Sequence, residues 1–142
     1  MSTPVGMRLF FYLSVVTLSV WASGQGETIY EAHCSKCHIK EISRAETLRR
    51  LDTLKAPPMI EVSHRLKTHI SVQGGDKDIH RGVVIAFVKH YIENPDIMIS
   101  LCNPGALDRF GAMPSLKGKL TDEAKQAVAE WLYDYYDGRE FE

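Results

Sequence analysis

The sequence predicts an all-α fold on three observations. No long β-branched alternation runs through the 142 residues, repeats and low-complexity segments are absent, and several helix ends can be read from caps and prolines. The first helix is expected over Glu27 to Cys34, with Thr28, Ile29, Tyr30 and Ala32 ahead of two cysteines and Glu27 near the positive end of the helix dipole. A helix this short persists only when packed against something else. Glu41 to Lys55 predicts a second helix, with Ile42, Ala45, Leu48 and Leu51 at three-residue steps along one side. Ala56-Pro57-Pro58 ends it, since each proline pushes the residue before it out of the helical region. A short helix over Glu61 to Ile70 is broken by Gln73-Gly74-Gly75. Asp76 then reads as the N-cap of a better-defined helix through about Glu93, whose apolar face is Ile79, Val83, Ala86, Phe87, His90 and Tyr91. Asn94-Pro95 stops it. A helical piece around Ile97 to Cys102, a turn at Asn103-Pro104-Gly105 and one more turn from Ala106 to Phe110 follow. The clearest helix is the last. Thr121 is its N-cap, Asp122 and Glu123 lie in the first turn, and Ala124, Val128, Trp131, Leu132 and Tyr135 form the face to bury.

The N-terminus reads as an export signal. Arg8 precedes an almost uncharged apolar run from Leu9 to Trp21, followed by the small residues Ala22, Ser23 and Gly24. That run is shorter than the roughly 20 apolar residues a bilayer crossing takes, so cleavage after Ala22 is favoured over a retained anchor. Residues 1–22 are thus expected to be removed, leaving one domain over 23–142 with no stable membrane span. The signal carries only Arg8 as charge, so the mature chain has a formal net charge of about −2. This argues against nucleic acid as a partner and supplies no strong steering field.

Cys34-Ser35-Lys36-Cys37-His38 carries the chemistry. Cys-x-x-Cys followed directly by His is the spacing of covalent c-type haem attachment. Two thiols match the two vinyl groups of one porphyrin, and the adjacent imidazole becomes the proximal iron ligand. A zinc site would need a second pair of ligands at metal-binding spacing, and a thioredoxin-like site would need a βαβ context; the chain offers neither. Cys102, the one other cysteine, is read as a buried small residue. The iron's second axial position has several candidates. Met113 is favoured, because Gly111 and Pro114 in Phe110-Gly111-Ala112-Met113-Pro114 let a loop present sulfur at a fixed angle. Met59 and Met98, with His64 and His69 as nitrogen donors, stay open as alternatives. His80 and His90 read as surface or satisfied histidines.

With these residues in view, nearly the whole mature chain resembles the class I monohaem c-type cytochromes of the bacterial periplasm. The order of parts is similar: a first helix from Gly26 to Cys34, Cys34 to His38, a middle segment, Met113-Pro114, and a last helix from Thr121 to Tyr136. Gly26 and Tyr30 match the small and aromatic positions by which that family's first helix packs on its last, with Trp131 and Tyr135 as partners. The middle segment is longer than in compact members. The resemblance implies a cytochrome c-like fold, with N- and C-terminal helices crossing around the haem and a carbonyl of Pro57 or Pro58 accepting from the proximal histidine. It implies one haem c, bound through Cys34 and Cys37, with iron held by His38 and Met113. The expected activity is electron transfer in the periplasm between a redox-protein donor and acceptor, with no bond made or broken in a substrate. A haem subunit of a larger redox enzyme and an open-site, gas-binding or peroxidase-like haem protein are the competing readings.

Overall fold

Residues 24–142 are described by a computed structural model, and among them the backbone forms six α-helices and one 3₁₀ turn, with no strand. The export signal read over residues 1–22 lies outside the described residues. Among the described residues no helix is long and apolar enough to cross a membrane.

The first helix, α1, occupies residues 24–33 and runs directly into the cysteine motif. The second, α2 (Arg44–Arg49), is shorter than its sequence suggests. Ser43 caps it by accepting from the Glu46 N–H at 3.1 Å, and the chain leaves the helical region at Arg50. The expected apolar stripe is not what is buried: Leu48 is 65% exposed and Thr47 is buried instead. Thr47 tolerates burial because its hydroxyl donates to the Ser43 carbonyl at 2.8 Å. Polar ends, not an apolar face, define so short a helix.

Pro57 and Pro58 keep the chain extended into α3 (Met59–His69), which therefore starts two residues before the expected Glu61. Its Met59, Ile60, Ser63 and Leu66 are buried at helical spacing. Gln73–Gly75 forms the 3₁₀ turn, with Gly74 at φ 81° and Gly75 at φ 67°, where a side chain would be strained. Asp76 caps α4 (Lys77–Glu93) as its sequence indicates, accepting from the N–H groups of Asp78 and Ile79 at 2.9 Å each.

The buried face of α4 differs from the expected one. Val84, Ile85 and Val88 are inside, while Ile79 and Val83 are 57% and 43% exposed. From Val83 to Val88 every residue is apolar, so periodicity alone does not choose a face. The polar flanks choose it: Arg81 pairs with Asp134 at 2.6 Å and Lys89 donates to Gln126 at 2.9 Å, turning the 81–88 side toward the last helix. The segment around Ile97 to Cys102 is a turn and coil rather than a helix, because Asp96 accepts from the Met98 N–H at 2.8 Å. Asn103 then caps α5 (Pro104–Phe110) by accepting from Gly105 at 2.9 Å, so the proline opens this helix instead of preceding it.

Thr121 caps α6 (Asp122–Tyr135), which is buried on most sides of its middle two turns. Three helices meet it. From α3, the Ser63 hydroxyl donates to the Leu132 carbonyl at 3.2 Å. Along α4, Lys125 reaches back to Glu93 at 2.7 Å. Against α1 the approach is close enough to require glycine: a Cβ at Gly26 would overlap the Ala127 carbonyl and the Trp131 Cβ. One turn on, Tyr30 stacks on Trp131 with ring centroids 4.7 Å apart. The first and last helices are thus locked by a small residue and an aromatic pair, and this lock sits immediately before the cysteine motif.

Candidate functional site

The motif is an extension of α1 wound into a tight turn. The Cys34 N–H still donates to the Tyr30 carbonyl at 2.8 Å, and the Cys34 carbonyl accepts from both Cys37 (3.1 Å) and His38 (2.9 Å). Residues three and four apart in such a turn share one side, which brings Cys34, Cys37 and His38 onto a common wall. Four contacts hold that wall to the core. The Tyr30 phenol donates to the His38 carbonyl at 2.5 Å, and Tyr136 donates to the Lys40 carbonyl at 2.7 Å. Burial raises both phenols well above the usual tyrosine range, so they stay protonated donors. The Met59 N–H donates to the Ile39 carbonyl at 2.7 Å, and the His38 Nδ1 donates to the Pro57 carbonyl, also at 2.7 Å.

That last bond sets the state of the imidazole. A carbonyl can only accept, so Nδ1 carries the proton and, in the neutral ring, Nε2 carries the lone pair. Burial holds the ring below the usual histidine range, outweighing the opposite influence of the Pro57 carbonyl. His38 is therefore an oriented, neutral nitrogen donor at pH 7.

The thiols are not joined to each other; Cys34 is half-buried and Cys37 exposed. Burial, reinforced by the neighbouring Cys37, pushes the Cys34 thiol up to about 11. A dithiol redox catalyst needs the opposite, an attacking sulfur with a lowered value.

Cys34, Cys37, His38 and Met113 all line one cavity of about 380 Å³, although Met113 lies far along the chain from the other three. The walls are chiefly apolar, with Leu66, Phe87, Val88 and Ile92 from α3 and α4 and Leu107 and Phe110 from α5. The volume falls within the roughly 300–1,000 Å³ of cofactor and ligand sites. Met113 is carried by a stretch fixed to the end of α4: the Ser115 hydroxyl donates to the Glu93 carbonyl at 2.6 Å, and the Leu116 N–H donates to the Ile92 carbonyl at 2.8 Å. Gly111 turns the chain out of α5 at φ 68°.

The alternative donors separate by position. Met59 also lines the cavity, but its N–H is bonded to Ile39 and its neighbour Pro57 to His38, so it belongs to the histidine's own wall. Met98 is 84% exposed and lies off the cavity, as do His64 and His69. His80 is taken up by the Tyr133 phenol and the Ile70 carbonyl, each at 2.9 Å. His90 borders a separate open groove with Asn94, Asp96 and Ile97. Cys102 is half-buried on the cavity wall rather than enclosed in the core, because the coil before α5 runs along the cavity. Arg65, Glu61, Lys55 and Lys119 reach the cavity too, and sequence patterning does not mark them as site residues. Among the described residues no three His, Cys, Asp or Glu side chains gather as a metal cage.

No protein-family model matches the chain. No solved structure matches it either. An uncharacterized protein of Aquifex aeolicus (strain VF5) is 37% identical over 120 residues, spanning 79% of this chain and 74% of the relative. On that identity and coverage, the chain belongs to the same family as the Aquifex aeolicus protein.

Proposed function

We propose that the protein is an exported, periplasmic electron carrier with a cytochrome c-like arrangement of helices around one covalent haem c, bound through Cys34 and Cys37 with His38 and Met113 as axial ligands. The observation that carries this reading is the convergence of those four residues on one apolar cavity. Three further features agree with the chemistry of that group. The thiols are unpaired and free to form thioethers. His38 presents a lone pair at Nε2 because Nδ1 is bound to the Pro57 carbonyl. The cavity is lined mainly by apolar groups suited to a macrocycle, with cations among its few polar residues for its carboxylates.

When bound, the haem supplies one iron that cycles between ferric and ferrous. The chain's own residues do the rest. Pro57 fixes the orientation of the His38 ring and raises its donor strength. The bonds of Ser115 and Leu116 to the end of α4 restrain the loop that would present the Met113 thioether to the iron. Leu66, Phe87 and Phe110 give the cavity apolar walls that would disfavour water beside a bound macrocycle. Partners are a redox-protein donor and a redox-protein acceptor.

The test is the response of the reduced protein to carbon monoxide. Saturation by His38 and Met113 predicts an unchanged spectrum, whereas a rapid spectral shift would indicate an open distal position and a gas-binding or catalytic haem protein.

A further inference from the structure

The outward face of α4 is apolar even though the helix already buries another. Ile79, Val83 and Ala86 lie three and four residues apart, opposite the buried Val84, Ile85 and Val88, and all three are exposed. The stripe runs on to His90 and into an open groove lined by Ile97, Ile99 and Ala112. Six large apolar side chains are exposed among the described residues, and four of them belong to this stripe and groove, a patch rather than a scatter. Gly82 borders the stripe. Neither a positive φ nor a close neighbour calls for glycine there, since a Cβ would meet nothing within 4 Å. Glycine weakens a helix interior, so the single chain supplies no reason for it. With Ala86 one turn on, it leaves a low strip that another helix can approach closely.

The two ends of α4 carry opposite charge. Asp78 in the first turn makes no ion pair among the described residues, while the other end presents Lys89 and His90; Glu93 beyond them is already paired with Lys125. Antiparallel pairing of two such helices, centred between Gly82 and Ala86, sets Gly82 of each against Ala86 of the other. It also brings Asp78 beside the other copy's Lys89 and His90 and points Ile79 toward its groove. A two-fold axis makes every one of these contacts twice, and the two helix dipoles run in opposite directions. We propose that the protein forms a reversible two-fold dimer through this outward face of α4. A 17-residue helix is about 25 Å long, which suits the small, weak end of the interface range rather than a permanent assembly. The proposal goes beyond the haem reading and does not depend on it.

Sedimentation equilibrium of the full exported protein over a dilution series tests it. The parent is expected to pass from the mass of one chain to that of two as concentration rises. Val83→Glu places a charge in the middle of the contact and should weaken association by about tenfold or more. Gly82→Leu should weaken it similarly while raising the unfolding temperature of the dilute single chain, because leucine favours the helix and has open space there. Leu48→Glu, on the exposed side of α2, should leave association unchanged. Asp78→Lys should weaken the dimer and the added Lys89→Glu should recover it, which reads the antiparallel order. Should Val83→Glu fail to fold, Gly82→Leu carries the test. A parent that keeps the mass of one chain at every concentration, or a dimer indifferent to both Val83→Glu and Gly82→Leu, overturns the proposal.

Discussion

Replacing Cys34 and Cys37 together by serine is expected to abolish haem retention and, with it, most of the folded protein. The cavity those thiols border is lined mainly by apolar side chains of α3, α4 and α5, which a bound haem would cover and its loss would leave exposed to water. Whole domains are stable by only about 5–15 kcal/mol, so losing that burial takes a large share of the margin. Single substitutions leave one possible thioether, and the yield of haem-loaded protein should fall without vanishing. The measurement is haem content and thermal unfolding of material recovered from the exported fraction. A double variant that is fully folded and free of haem would contradict the account.

Replacing Met113 by alanine is expected to remove the long-wavelength sulfur-to-iron absorption band, lower the midpoint potential and open the reduced protein to carbon monoxide, while the covalent haem stays in place. Met59→Ala is the matched comparison. Met59 is 7% exposed and packs in the core beside His38, so its loss should cost stability, about 2–5 kcal/mol for truncation of a buried methionine, and leave the band intact. The two substitutions therefore separate ligation from packing. Loss of the band in Met59→Ala and its survival in Met113→Ala would reverse the assignment.

What could be read from the sequence divides along the range of the interactions involved. The caps of α4 and α6 were legible because Asp76 and Thr121 act on N–H groups two or three residues away. The grouping of Cys34, Cys37 and His38 was legible for the same reason, since one turn of backbone settles it. The face that α4 buries was not, because an unbroken apolar run from Val83 to Val88 leaves the choice to pairs such as Arg81 with Asp134, 53 residues apart. Leu48, expected on the buried side, is exposed while Thr47 is buried, because α2 is too short for a stripe to decide its orientation. At the site, a choice between Pro57 and Pro58 had no local basis; it is made where the Ile39 carbonyl meets the Met59 N–H and brings Pro57 over the imidazole. Glu61 and Arg65 read as an ordinary helical pair four residues apart, and only the fold shows that both border the cavity.

The account stands on the covalent fate of two thiols, and the intact mass of the protein purified from the exported fraction, measured under denaturing conditions, reads that fate directly. The account predicts a chain heavier by one haem that survives acid and organic extraction. A mass equal to the bare chain, or lighter by the two hydrogens lost in a Cys34–Cys37 disulfide, would contradict it.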